Sequence, residues 1–212
     1  MDFPGERVAQ ALVEALAVVF PTWCAGCDEV DVSLCDACRA GLAPQPVRRH
    51  LGNALEVRSA LRFEGVAARV LRALKEEGRT GLARPLGHAM AAAWVYEDAV
   101  AVPVPSSRAS MRRRGFAATE LLTKRAGLRA ARLLVPARRA ADQRGLSRTD
   151  RMANMSGAFV ARPAEGVRVV LIDDVVTTGA TLLDAQRALR DAGAIVLGAV
   201  TVMDTPRRRR AE

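Results

Sequence analysis

The chain has 212 residues, of which 50% are hydrophobic, and carries a formal charge of +9 with a sequence pI of about 10.7. The length and apolar content suffice for one full domain with a small appendage, so a chain without a hydrophobic core is excluded. The positive charge favours an anionic partner, such as nucleic acid, a phosphorylated small molecule or a membrane surface.

The first 20 residues predict an amphipathic helix. Apolar residues recur there at helical spacing, at Val8, Leu12, Ala15, Leu16 and Val19. Asp2 and Glu6 stand where a signal peptide carries positive charge, and no stretch of the chain approaches the roughly 20 apolar residues of a membrane helix. We therefore expect a cytoplasmic protein without a membrane span.

Residues 24–38 contain all four cysteines, in the order Cys24-x-x-Cys27, seven residues, Cys35-x-x-Cys38. Each CxxC pair can present two thiolates, and two pairs complete the tetrahedron of a closed structural zinc site. In the cytoplasm such pairs bind metal more often than they form disulfides. An iron–sulfur cluster, two disulfides and four unrelated thiols are the alternatives to zinc.

Strands and helices alternate after the cysteines. Residues 39–55 contain prolines, glycines and few apolar positions, which indicates a linker. Strands are predicted at 57–63, 99–105, 131–136, 157–161, 167–173 and 194–203, helices at 65–78, 81–96, 115–127 and 179–193, and a polar loop at 137–156. The alternation is typical of parallel βαβ units in an α/β fold.

We predict two domains from this order of elements. Residues 1–50 hold the N-terminal helix and the four-cysteine zinc module, and residues 51–212 form the α/β domain with a basic C-terminal tail. That tail contains four consecutive arginines at 207–210, which are able to hold nucleic acid through its phosphates.

The stretch VVLIDDVVTTGAT, residues 169–181, joins a buried strand to a helix. Asp173 and Asp174 end its apolar run, and we expect them at the carboxyl edge of a parallel sheet, where such sheets bind ligands. Hydroxyls and backbone N–H groups follow at Thr177, Thr178 and Thr181. We predict that the missing Cβ of Gly179 lets an anion approach the positive end of the helix dipole.

Carboxylates beside a phosphate cradle suit a ribose 5-phosphate, whose 2′ and 3′ hydroxyls would donate to the acids. The alternative is an ordinary strand, turn and capped helix, in which the acids favour the helix dipole. The order of acids, threonines, glycine and helix favours the binding site.

Residues 169–181 resemble the phosphoribosyl pyrophosphate motif of type I phosphoribosyltransferases. Over nearly its full length the chain resembles the ComF family of competence-related proteins, which join a four-cysteine zinc module to a phosphoribosyltransferase-like domain. Further marks are residues 63–78 with Lys75, residues 102–116, and residues 143–154 with Gln143, Leu146, Arg151 and Asn154. The family continues its Arg-Gly-Phe with Asn-Gln, where this chain has Ala117 and Ala118.

The resemblance implies a type I phosphoribosyltransferase-like parallel sheet flanked by helices, and a set of ligand-binding residues. Asp173 and Asp174 would be catalytic and bind the ribose, and the 5′ phosphate would lie on Val175, Thr177, Thr178, Gly179, Ala180 and Thr181. Pyrophosphate with Mg²⁺ would lie near Arg112, Arg113 and Arg114, in a loop that turns at Gly115. Lys75 and Arg151 complete the set, and residues 137–156 with Arg151 would close over the ligand.

Two functions of different classes follow. The first is a Mg²⁺-dependent phosphoribosyltransferase, linked by resemblance to DNA uptake, whose acceptor the sequence does not specify. The second is a non-catalytic DNA-processing partner or single-stranded DNA-binding protein that keeps the ligand pocket. Aromatic residues make up only 4% of the chain and do not alternate with basic ones, which weighs against base stacking along a single strand.

Overall fold

A computed structural model describes residues 22–52, 55–137 and 157–205. The predicted N-terminal helix, nearly all of the predicted loop 137–156 with Arg151, and the arginines at 207–210 lie outside these ranges.

The main sheet of the described residues has five strands in the order β1, β2, β7, β6, β3. Strands β2, β7, β6 and β3 are parallel, whereas β1 pairs antiparallel with β2 at one edge. A separate antiparallel pair is formed by β4 and β5. The strands are β1 Val47–Leu51, β2 Leu55–Arg62, β3 Val100–Pro103, β4 Leu134–Pro136, β5 Phe159–Ala161, β6 Arg168–Val176 and β7 Ile195–Asp204.

Helices cover both faces of this sheet, which confirms the predicted α/β class. They are α1 Asp36–Ala40, α2 Gly65–Glu76, α3 Ala83–Ala91, α4 Arg108–Arg114, α5 Ala118–Arg125 and α6 Ala180–Asp191, with a 3₁₀ turn at Thr80–Leu82. None of the helices within the described ranges has the length and hydrophobicity of a membrane span.

Strand β6 is buried on both faces, which explains its unbroken apolar sequence. Val170 and Ile172 pack in one core with α2, α3 and α5. Val169 and Leu171 pack in a second core with α6 and the β4–β5 pair. The strand that carries the two aspartates is therefore held from both sides.

The cysteine module packs directly on α2. Cys24, Cys35 and Cys38 share one core with residues of that helix. Beyond the end of α2, the Arg79 guanidinium donates to the carbonyls of Trp23 at 2.7 Å and Ser33 at 2.9 Å. The module and the sheet are thus joined through one helix.

Two predicted boundaries were wrong. The predicted linker 39–55 contains β1, whose residues pair in register with β2, so the sheet begins before residue 51. As an edge strand, β1 buries only every second residue in part and fully buries only its last, so its sequence lacks a clear apolar pattern. Strand β6 continues to Val176, three residues past its predicted end at Asp173.

Helix α4 is the third correction. We predicted a loop over Arg112, Arg113 and Arg114, but these residues form the last turn of Arg108–Arg114. Ser107 caps the helix by accepting from the Ser110 N–H at 3.1 Å, and Gly115 ends it with φ of +75°. The chain does turn tightly at Gly115, as predicted, but it does so after a helix.

Candidate ligand site and metal centre

The parallel strands end at one edge of the sheet, and backbone hydrogen bonds join these ends. The Phe63 N–H, just past β2, donates to the Asp204 carbonyl at the end of β7. The Thr205 N–H donates in turn to the Val176 carbonyl at the end of β6. Asp173 and Asp174 therefore lie near a well-supported edge of an α/β sheet, the part of such folds that binds ligands.

Lys75 lies against the second of the two aspartates. Its Nζ is 2.8 Å from Oδ2 of Asp174, and the two side chains are only 25% and 14% exposed. Lys75 belongs to the last turn of α2, far from Asp174 in the sequence. The structure thus brings together three of the predicted ligand-binding residues, two acids and one base.

The carboxyl group of Asp173 resists ionisation. Burial and the neighbouring charge of Asp174 raise its pKa to about 7, against the opposing effects of the Asp174 N–H and the Lys75 charge. The Asp174 N–H donates to Oδ1 of Asp173 at 2.8 Å. Near neutral pH this acid is therefore only partly ionised, and a ligand that donates hydroxyl hydrogens would favour its ionised form.

Residues 177–181 form the turn from β6 into α6. Thr177 and Thr178 are exposed, Gly179 has φ of +84°, and α6 begins at Ala180. The Thr178 hydroxyl accepts from the Ala180 N–H at 3.4 Å. Backbone and hydroxyl donors thus stand at the positive end of a 12-residue helix.

The space beside Gly179 is taken by Leu51. A Cβ added to Gly179 would lie 2.2 Å from Cδ1 of Leu51, at the end of β1. We predicted that the missing Cβ leaves room for an anion. In the structure it leaves room for Leu51, and the positive φ supplies a second reason for glycine.

Arg49 is a residue of this region that the sequence did not suggest. Its guanidinium donates to the backbone carbonyl of Thr177 and lies 2.8 Å from Oδ1 of Asp204. Arg49 and Thr177 are 128 positions apart. No local motif marks Arg49, so the contact becomes visible only in the folded chain.

The arginines of α4 lie after β3, which pairs with β6 through Pro103 and Ile172. Arg112 and Arg113 are exposed and Arg114 is partly buried. Within the described residues, no ion pair joins any of the three to a carboxylate. They therefore offer positive charge that no acid in this part of the chain neutralises.

The four cysteine thiols form a compact cluster that can hold a metal ion. The Sγ atoms of Cys24, Cys27, Cys35 and Cys38 lie within 4.8 Å of one another, and all four are free thiols. Cys27 Sγ and Cys35 Sγ are 3.6 Å apart. A tetrahedral zinc site with bonds of about 2.3 Å needs sulfur separations of about 3.8 Å, so the cluster fits that geometry.

Hydrogen bonds lower the pKa of one of these thiols, which favours the thiolate form that binds a metal ion. Burial opposes ionisation of Cys24, but hydrogen bonds from the backbone N–H groups of Cys35, Gly26 and Cys27 and from the Cys27 side chain together outweigh it and lower the pKa of Cys24 to about 6. Burial raises the pKa of Cys38. Because a metal must displace the remaining protons, binding should release them and depend on pH.

Part of the chain matches a known protein family. Residues 130–212 match the family described as "Phosphoribosyl transferase domain". This part of the chain is similar to that domain family. The match includes β6, the loop 177–181 and α6.

Individual relatives cover shorter stretches. Adenine phosphoribosyltransferase of Novosphingobium aromaticivorans is 50% identical over 48 residues, 23% of this chain and 27% of that protein. Competence protein F of Haemophilus influenzae is 44% identical over 55 residues, 24% of each chain, and confirms the predicted resemblance to ComF. The chain thus spans about a quarter of the length of these curated relatives.

Among solved structures, the adenine phosphoribosyltransferase of Leishmania tarentolae is 13% identical, with a TM-score of 0.41. The similarity covers 72% of this chain and 79% of that one.

Proposed function

We propose that this protein binds phosphoribosyl pyrophosphate, or a ligand ending in ribose 5-phosphate, and transfers the phosphoribosyl group to an acceptor. The observation that carries the proposal is one continuous turn, in which Asp173 and Asp174 precede an exposed threonine loop at the start of α6. Carboxylates that accept hydroxyl hydrogens and donors that hold a phosphate are the two halves of such a ligand.

Each part of the site has a role in the proposed reaction. The acceptor nucleophile bonds to C1 of the ribose as the bond from C1 to the pyrophosphate oxygen breaks. Asp173 and Asp174 hold the ribose hydroxyls and stabilise the positive charge that develops near C1. The loop from Val175 to Thr181 holds the 5′ phosphate, which sets the distance between the phosphate and the reacting carbon.

The pyrophosphate leaving group needs nearby positive charge, and the arginines of α4 can supply it. The arginines at its C-terminal end follow β3, the strand beside β6, and their guanidinium groups suit phosphate oxygens. Mg²⁺ prefers oxygen ligands and, when bound to pyrophosphate, adds further positive charge to the leaving group.

Lys75 affects the charge of Asp173. Its ammonium group lies 2.8 Å from Oδ2 of Asp174, and its charge partly offsets the burial that raises the pKa of Asp173 to about 7. A ribose ligand that donates to Asp173 would favour the ionised form of that carboxyl group. Ligand binding should therefore release part of a proton near pH 7.

We also propose that the ion in the cysteine module is zinc and that its role is structural. Four thiolates leave no open position for a substrate, and one zinc ion at their centre fits the observed sulfur separation better than a larger iron–sulfur cluster. The module would then stabilise α2, the helix that carries Lys75.

Calorimetric titration of phosphoribosyl pyrophosphate with Mg²⁺ into the metal-replete protein tests the function. We expect binding that Asp173→Asn with Asp174→Asn abolishes and that Asp191→Asn, an exposed change on α6, leaves intact. Pyrophosphate release in the presence of candidate acceptors then tests transfer. A folded, metal-containing sample that binds no ligand would refute the proposal.

Binding to single-stranded DNA and to DNA-uptake proteins stays a prediction from the sequence. The same sample, titrated into a labelled single-stranded oligonucleotide at several salt concentrations, would measure both the affinity and the number of phosphates contacted.

A further inference from the structure

The hairpin of β1 and β2 contacts the loop 177–181 at two separate points. The Arg49 guanidinium binds the carbonyl of Thr177, and the Leu51 side chain fills the space beside Gly179. These two residues lie on the same face of β1, since they are two positions apart in a strand. The hairpin thus supports both ends of the segment Thr177 to Gly179.

The Arg49 side chain is mostly buried and forms an ion pair. It is 16% exposed, and its ion-pair partner Asp204 is 15% exposed. Asp204 ends β7, and its backbone carbonyl accepts a hydrogen bond from Phe63, so this partner belongs to the supported edge of the sheet. A planar guanidinium can bind this carboxylate and the Thr177 carbonyl at once, which a single ammonium group does less well.

The hydrogen bond to Thr177 determines the direction of the next N–H group. In a planar trans peptide, the carbonyl and the following N–H point in opposite directions. Because Arg49 holds the Thr177 carbonyl, the Thr178 N–H must point away from Arg49. Thr178 is exposed, and its N–H has no protein acceptor within the described residues.

We propose that Arg49 is a positioning residue, which orients the Thr178 N–H to donate to the phosphate of a ribose 5-phosphate group. This inference rests on the proposed function, because it assigns a role within the same site. Arg49 acts through the peptide of Thr177 and Thr178, and Leu51 holds the other end of that segment.

The test uses ribose 5-phosphate and Mg²⁺-pyrophosphate as separate probes of the full-length, metal-replete protein. We expect Arg49→Gln to weaken ribose 5-phosphate binding about tenfold or more, because a charge-assisted hydrogen bond is lost. Pyrophosphate has no 5′ phosphate, so its affinity should not change. A purely structural role would lower both affinities together.

The matched control is Arg58→Gln on the other strand of the hairpin. Arg58 is 18% exposed and pairs with Glu56 at 3.3 Å, so it resembles Arg49 in burial and pairing but does not contact the loop. We expect this variant to keep the wild-type affinity for ribose 5-phosphate.

Arg49→Lys keeps the test decisive if the glutamine variant unfolds. The lysine can retain the ion pair to Asp204 and hence the melting temperature, but its ammonium group binds Asp204 and the Thr177 carbonyl at once less well than a guanidinium does. A folded lysine or glutamine variant with wild-type affinity for ribose 5-phosphate would overturn the role of Arg49 alone. Failure of the wild-type protein to bind ribose 5-phosphate and phosphoribosyl pyrophosphate would overturn the proposed function, and this inference with it.

Discussion

The cysteine module takes all four thiols from residues 24–38, whereas the carboxylate edge combines side chains from distant parts of the chain. Lys75 reaches Asp174 from α2, and Arg49 reaches Thr177 from β1. One site is thus built from a single short segment, and the other from residues that only the folded sheet brings together. The module places all of its possible metal ligands in one short segment, while the edge needs the complete sheet.

Loss of a metal-binding thiol should change the stability of the protein more than any other substitution considered. We expect Cys38→Ser to abolish metal binding and to lower the melting temperature by more than about 10 °C, because binding free energy at such a site is folding free energy. Metal analysis and calorimetry with and without a chelator measure both effects. Asp36→Asn, an exposed change in the same module, is the control, and a cysteine variant that melts like wild type would contradict a structural role.

Gly179→Ala should have the next largest effect, at the other site. The new Cβ would overlap Leu51 and would also require a positive φ, so we expect a loss of about 3 kcal/mol in unfolding free energy. Gly166→Ala is the control, because Gly166 has φ of +69° with no atom within 4 Å of its added Cβ, and should cost about 1 kcal/mol. Equal losses in chemical denaturation would show that Leu51 moves aside easily.

The pH dependence of Asp173 should produce a smaller effect. Its folded pKa, about 7, lies above the ordinary value of 3.8, so the folded state binds the proton more tightly than the unfolded state. The stability from this group is complete below about pH 4 and is lost as pH rises through 7. Asp173→Asn should therefore stabilise the free protein at pH 8 by roughly 1–3 kcal/mol and change it little at pH 4.

Denaturant titrations at several pH values measure this difference, with Asp98→Asn as an exposed control. A wild-type curve that runs parallel to the Asp173→Asn curve from pH 4 to 8 would disprove the raised pKa. If Asp173→Asn stabilises the protein and also removes ligand binding, Asp173 lowers the stability of the fold but is required for binding.

The ion pair between module and helix should matter least. Arg69 pairs with Asp28, but the two side chains are 45% and 70% exposed, and water screens such pairs strongly. We expect Arg69→Ala to change the melting temperature by about 1 °C or less, because packing joins the module to α2. A shift as large as that of the cysteine variant would assign the docking to charge instead.

The sequence predicted the local features of both sites for physical reasons. The spacing of the cysteines determines which thiols can meet, and the order Asp173, Asp174, Thr177 and Gly179 places acids and loop in one turn. Arg49 could not be predicted, because its partners Thr177 and Asp204 become neighbours only when β1 joins the sheet.

The arginine-rich helix α4 was missed for a different reason. It has no buried residue, so its sequence shows no apolar periodicity, and only the Ser107 cap marks its start. Strand β1 was predicted as part of a linker for the same reason, since an edge strand with polar, partly exposed residues resembles a loop in sequence. Burial is thus what makes an element visible in a sequence.

Helix α2 has a consequence for insertions and deletions. Arg69 contacts the module and Lys75 contacts the carboxylate edge, and these residues are six positions apart on one rigid rod. One inserted residue between them would rotate Lys75 by about 100° and shift it by about 1.5 Å. The number of residues between Arg69 and Lys75 therefore sets how the module and the carboxylate edge are oriented about the helix.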